Sequence, residues 1–235
     1  MKKAAVFCIG ALLTGCASTM NYGGDAIHEQ NHQTVPARGI TSVHVLNVSG
    51  PITVKTTQGA SITIDSTKSA NDTDAIHRTH VTIHQEGPQL VVHTEYDQGG
   101  GWFGSHNGAS VAYVVSIPRN LSLNVDNVSG PVTVSGTVGD LNVREVSGSV
   151  HAALGTVRPK QRINIQSVSG SVTLSIARNS DVRVQTKSIS GAVNAFFPAN
   201  IDKGFLGQML DGRLGKGDGS IVIGAVSGGI TISPQ

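Results

Sequence analysis

The sequence predicts an all-β fold, a β-solenoid, on three observations. An eight-residue unit, NVSGPVTV at Asn127 to Val134, recurs as NVSGPITV from Asn47, EVSGSVHA from Glu145, SVSGSVTL from Ser167, SISGAVNA from Ser188 and AVSGGITI from Ala225. Four consecutive glycines of these copies, Gly130, Gly148, Gly170 and Gly191, stand 18, 22 and 21 residues apart, room for two short strands and two turns. Two and four residues after each glycine stand small apolar side chains such as Val132 and Val134 or Val172 and Leu174, with Thr, Asn or His mostly between them. Period two puts each apolar pair on one face of a strand. A unit this small cannot bury its apolar face alone, so units must stack. An antiparallel sandwich could use strands of the same length. The recurring corner at near-fixed spacing favours the solenoid, as does the lack of Asn-Gly hairpin turns there.

The chain of 235 residues opens MKKAAVFCIGALLTGCASTM. Two lysines precede an apolar run, Ala4 to Leu13, too short for a membrane span of about 20 residues. A basic start, a short apolar core and small residues before a cut describe a secretory signal over residues 1–15. Leu13-Thr14-Gly15-Cys16 resembles the bacterial lipobox, whose members are cut before the cysteine and acylated on it. That resemblance makes Cys16 the lipid anchor in the cell envelope, and in a Gram-negative organism that sorts by the enterobacterial rule, where Asp after the cysteine often marks inner-membrane lipoproteins, Ala17 points to the outer membrane rather than the inner one. The only other cysteine, Cys8, lies inside the signal, so the mature chain has no disulfide and no thiolate site. Residues 16–39, polar with Gly23-Gly24 and Pro36, read as the lipidated cysteine and a flexible tether, and 40–235 as one folded domain.

Charge excludes one class of partner. The chain has 17 Lys and Arg against 15 Asp and Glu. Lys2 and Lys3 leave with the signal, so the mature chain balances at 15 of each, and a neutral chain without a basic block gives no support for nucleic acid.

Before each corner the apolar residues are three apart: Val45 and Val48, Val125 and Val128, Val143 and Val146, Ile165 and Val168, Ile223 and Val226. A flat strand would send such pairs to opposite faces, so a bend or bulge before Ser-Gly is expected to return both to the core. The fifth copy, with Val184 and Ile189 five apart, predicts a wider corner. Between Gly50 and Gly130, Ser61 to Asp65 reads as a strand and Asn71 to Asp74 as loop. His80 to His84 and Leu90 to Glu95 read as a hairpin around EGPQ, and Ser110 to Ile117 as another strand. Phe196 to Gly219 reads as an irregular excursion.

The recurring VSG corners, the stretch VVSIPRNLSLNVDNVSG (Val114 to Gly130) and the end SIVIGAVSGGITI (Ser220 to Ile232) resemble the bacterial putative-adhesin family. The resemblance, spanning about residues 40–234, implies an irregular, mostly parallel β-solenoid, single-stranded and right-handed in the manner of a β-helix, with hairpin and loop insertions. The family often carries Asp after the corner glycine. Here Pro, Ser, Ala or Gly follows it in all six copies, which removes a corner-based ligand site. The family brings no catalytic residues.

Chemistry finds little purchase. Gly99 to Gly104 matches G-x-G-x-x-G only formally, since no helix follows and no βαβ unit surrounds it. Gly212 to Gly219 lacks phosphate-loop spacing, leaving Lys216 a loop lysine. Trp102 and Phe103, between glycines, read as a plug for the β core or as a contact loop for glycan, lipid or protein. A hairpin turning at Glu86 to Gln89 would set His84 by Val91, Thr82 by His93 and His80 by Glu95. This gathers His80, His84, His93 and Glu95 on one polar face, where solvated histidines are favoured over a metal patch. The serines recur as a set of turn formers, and the strand faces carry Thr, Ser and Asn where a glycosidase needs paired carboxylates. No catalytic, cofactor or metal site is assigned. The expected function is a non-catalytic envelope lipoprotein presenting a β-solenoid for binding or adhesion to a glycan or an envelope protein. The alternatives are a structural or stress-related envelope protein and, third, a periplasmic polysaccharide-active enzyme.

Overall fold

The structure is a computed structural model that describes residues 19–22, 26–97, 108–204 and 207–235, with side chains from residue 26 onward. Cys16, Trp102 and Phe103 lie outside the described residues. The chain begins with β1 (Thr19–Tyr22), β2 (Ile27–Pro36), β3 (Ser42–Ser49), β4 (Ile52–Thr57) and β5 (Ser61–Ala70). A short helix α1 (Thr73–His77) leads to β6 (Thr79–Glu86), β7 (Gln89–Tyr96) and β8 (Ser110–Pro118). The repeats then supply β9 (Ser122–Ser129), β10 (Val132–Ser135), β11 (Leu141–Ser147), β12 (Val150–Gly155), β13 (Arg162–Ser169), β14 (Val172–Ile176), β15 (Val182–Ser190) and β16 (Val193–Ala195). The last stretch holds β17 (Ala199–Gly204), β18 (Gly207–Leu214), β19 (Gly219–Ser227) and β20 (Ile230–Pro234).

These strands make two ten-stranded sheets, ordered β1-β2-β5-β8-β4-β10-β12-β14-β20-β16 and β17-β18-β15-β19-β13-β11-β9-β3-β7-β6. Each VSG copy puts one strand in each sheet. Neighbouring copies pair in parallel in both, as β9 with β11 and β10 with β12. Antiparallel strands close the ends: β5, β2 and β1 on one sheet, β6 on the other, and β18 and β17 at the opposite end. Spatial order departs from chain order in one place that matters. The last pair, β19 and β20, slots between β13/β14 and the earlier β15/β16.

The core lies between the sheets, as period two requires. Ile52, Val132, Val150, Val172, Ile230 and Val193 form one buried inward row, matched across by Val43, Leu123, Leu141, Ile163, Ile221 and Val184. The corner glycines stack in the same order. Gly130 N donates to Ser147 O at 3.0 Å, Gly148 N to Ser169 O at 3.0 Å and Gly170 N to Ser227 O at 2.9 Å. Gly130, Gly170 and Gly228 have φ of 123°, 143° and 144°, backbone that L side chains rarely adopt.

Several expectations need correction. Val48, Val128, Val146, Val168 and Val226 do not turn into the core but stand 43–48 % exposed. The strand stays flat, and the inward place before the corner goes to Asn47, Asn127, Glu145, Ser167 or Ala225, all buried. The fifth corner is no wider than the others. Thr186 takes the inward place of Val125 and Ile223, so Thr186 and Ile189 keep the spacing of three. Residues 27–36 of the expected tether form β2, paired over ten residues with β5, whose own range outruns Ser61 to Asp65. The Phe196 to Gly219 excursion holds the β17–β18 hairpin, and the 71–74 loop holds the start of α1, capped by Asp72 Oδ1 accepting from Ala75 N at 2.6 Å.

Candidate functional site

The exposed valines stack in spatial order. Val48, Val128, Val146, Val168, Val226 and Ile189 sit on successive parallel strands of one sheet, one residue before the paired corner serines. Ile189 is 50 % exposed. An isolated exposed valine is ordinary, but a contiguous apolar stripe on a soluble surface marks an interaction site.

The inward neighbours explain why the valines are left outside. Asn47 Nδ2 donates to Val111 O at 2.9 Å and Asn127 Nδ2 to Gly130 O at 2.9 Å. Ser188 Oγ donates to Gly228 O at 3.0 Å. Corner carbonyls buried away from water need donors. On every strand of this row but β19, where Ala225 stands, a polar side chain therefore claims the inward place, and alternation drives the next residue out.

At the end nearer β17 this face is concave. A groove of about 900 Å³ is lined by Val146, Val168, Val226, Ile189, Val222 and Met209, with Arg144, Lys187, Asp202 and Asp211 among its polar lining. Gly224 leaves its floor open: a Cβ there would meet nothing within 4 Å. The β17–β18 hairpin extends the sheet past β15, pairing Met209 with Lys187 and Asp211 with Gln185. Arg183 Nη2 donates to Asp211 Oδ2 at 2.6 Å, fixing that wall. A second hollow of about 360 Å³ shares Arg144 and Val146 and continues to Val48, Val128 and His93. Asp126 braces its rim, accepting from His44 Nε2 at 2.6 Å and from Arg144 Nη1 at 3.3 Å.

The hairpin histidines pair in the expected register, His84 with Val91, Thr82 with His93 and His80 with Glu95. Their side chains go to separate carboxylates, His80 to Asp97 at 2.9 Å, His84 to Glu86 at 3.0 Å and His93 to Glu95 at 3.2 Å. Among the described residues no group of three or more His, Cys, Asp or Glu is arranged to hold a metal. The groove is not legible in the sequence because its valines carry the hydropathy of core residues. Its one visible signal was the spacing of three before each Ser-Gly.

A family model for the Toastrack DUF4097 domain matches residues 121–233, the segment from β9 to β20 that carries the glycine corners and the groove. The strands before Leu121 extend both of the sheets that this segment builds. A crystal structure of a putative cell adhesion protein from Clostridium sporogenes is similar in fold, with TM-score 0.59 and 15% identity over 88% of this chain and 100% of that one. A putative adhesin from Bacteroides fragilis aligns with TM-score 0.29 and 8% identity over 86% of this chain and 96% of that one. A putative lipid binding protein from Parabacteroides distasonis aligns with TM-score 0.30 and 11% identity over 88% and 96% of the two chains. No curated protein matches the chain.

Proposed function

We propose that the chain is a non-catalytic, lipid-anchored envelope protein whose β-solenoid presents the valine-lined groove for binding. The observation that carries this reading is the position of the groove relative to the N-terminus. Cys16 stands three residues before β1, the outermost strand at one end of its sheet. The groove runs over strands of the other sheet that belong with β14, β20 and β16, at the opposite end. Eight strand spacings of about 4.8 Å separate β1 from β20, so the groove stands roughly 40 Å along the sheets from the end strand that follows Cys16. That is a geometry for reaching a partner, and the adhesion name of the Clostridium sporogenes structure agrees with it.

Metabolic labelling with a fatty-acid probe tests the anchor, with Cys16→Ser expected to lose the label and release unprocessed or soluble protein. Protease accessibility on intact cells separates outward display from a periplasm-facing anchor. Crosslinking on intact cells, with wild type against Val146→Ser/Val168→Ser, tests the groove. Selective loss of a captured partner supports binding, and an unchanged partner set points to a structural role. Turnover of an envelope polymer by purified protein, abolished by a single carboxylate or serine substitution with the β spectrum intact, would overturn the non-catalytic reading.

A further inference from the structure

Glu145 is the misfit in the inward corner row. Across successive strands that row reads Asn47, Asn127, Glu145, Ser167, Ala225 and Ser188. Its amide and hydroxyl members donate to corner carbonyls, whereas an ionised carboxylate can only accept. Glu145 is 2 % exposed, and neither of its carboxyl oxygens has a hydrogen-bond partner. On the neighbouring strand Asn127 has its Nδ2 committed to Gly130 O, and its Oδ1 is buried without a donor. Asn47, one strand further along, meets the same need by accepting from Thr94 Oγ1 at 2.9 Å. Two buried acceptors on register-paired residues lack the same thing, a hydrogen.

We propose that Glu145 keeps its proton into the pH range where an ordinary glutamate has lost it, offering it to Asn127 Oδ1, and that loss of this proton loosens the corner at Val146 and the groove wall it forms. Burial supplies the drive, lifting the carboxyl from 4.5 to about 7, tempered by the Asn127 amide and the Ser147 N–H, which lean toward it without closing a hydrogen bond. The charged neighbours leave it alone. Arg144 on its own strand and Asp126 on the flanking β9 bond each other on the outer face. His151 on β12 is exposed, and β13 presents only Gln166 and Ser167. Lys187, Asp211 and Asp202 line the far side of the groove. A charge on Glu145 would stand inside the corner between Asn127 and Ser167, buried away from water.

The folded state therefore binds more protons than the unfolded chain between pH 4.5 and about 7. The contribution to stability is complete below 4.5, falls as pH rises to about 7, and is level above. The test is carboxyl-carbon NMR on the full-length protein beside Glu145→Gln, with amide exchange at Val146, Ser147 and Gly148. The expected result is one glutamate resonance, missing in the variant, with a midpoint near 7. Exchange at these three amides should accelerate above that midpoint relative to Ser169 and Gly170, the same corner one strand on, in wild type only. A Glu145 midpoint near 4.5, or exchange that tracks Ser169 and Gly170 throughout, overturns the proposal. The exchange readout against Ser169 and Gly170 is taken within wild type, so a variant that fails to fold does not remove the test.

Discussion

Gly130 rests its Cα against the carbonyl of Gly50, so closely that a Cβ added to Gly130 would lie 2.5 Å from Gly50 O. The next corners repeat the arrangement, Gly148 on Gly130, Gly170 on Gly148, Gly228 on Gly170 and Gly191 on Gly228. Parallel strands can carry the same corner at every level only if nothing projects between one corner and the next.

Gly130→Ala and Gly170→Ala therefore combine a backbone clash with a φ of 123° or 143°. Each should cost at least about 2 kcal/mol. Gly224→Ala, on the groove floor with nothing within 4 Å of its added carbon, should stay within about 0.5 kcal/mol. Urea denaturation of the three variants checks the contrast.

Val172 is buried between the sheets while Thr173 points outward from β14. Val172→Asp places an unpaired charge in the stack and should cost more than about 4 kcal/mol or prevent folding. Thr173→Ser should shift stability by less than about 0.5 kcal/mol. Thermal melts followed by circular dichroism decide it.

The stripe valines are apolar yet belong to no core. Val146→Ser with Val168→Ser should leave the unfolding free energy within about 1 kcal/mol. The same pair should abolish fluorescence of an environment-sensitive hydrophobic dye at the groove. A large stability loss would mean that these side chains are packed rather than displayed.

Asp140 gives an acid-side signature. Burial lifts its carboxyl, but the Arg162 backbone N–H and guanidinium outweigh burial and hold it below the ordinary carboxylate value of 3.8. Arg162 Nη2 donates to Oδ2 at 2.7 Å and Arg162 N to Oδ1 at 2.9 Å. A depressed value stabilises the fold above 3.8 and loses that contribution as pH falls through the folded value. In Arg162→Ala the carboxyl-carbon midpoint of Asp140 should move part of the way back, since the backbone N–H remains.

Most of the fold was legible because alternation and the glycine corner are local signals. Val132 with Val134, and Val172 with Leu174, declared their face through period two alone. The face of Val128 did not. Its spacing from Val125 suits either a bulge that buries it or a flat strand that exposes it. The choice is made by Asn127 donating to a carbonyl beyond the corner, which hydropathy does not register. The β17–β18 hairpin is hidden because a stretch such as QMLDGRL has little intrinsic strand preference and becomes a strand by pairing with β15. The groove was lost with both, since its wall is the misread valines and its far side is the misread hairpin.

The insertion of β19 and β20 between β13/β14 and β15/β16 has a consequence for biogenesis. A chain emerging from its N-terminus delivers β15 and β16 before the strands that must lie beneath them exist. Until Gly219 and its successors arrive, the buried apolar edges of Ile163, Ile165, Val172 and Leu174 have no permanent cover. Closure is therefore a single late event that depends on distant sequence, the kind of contact that slows folding and exposes intermediates. A copy cut short before Gly219 cannot settle into a shorter version of the same stack. It stays sticky and open to proteases, so β19 and β20 double as an inspection seal on the stack.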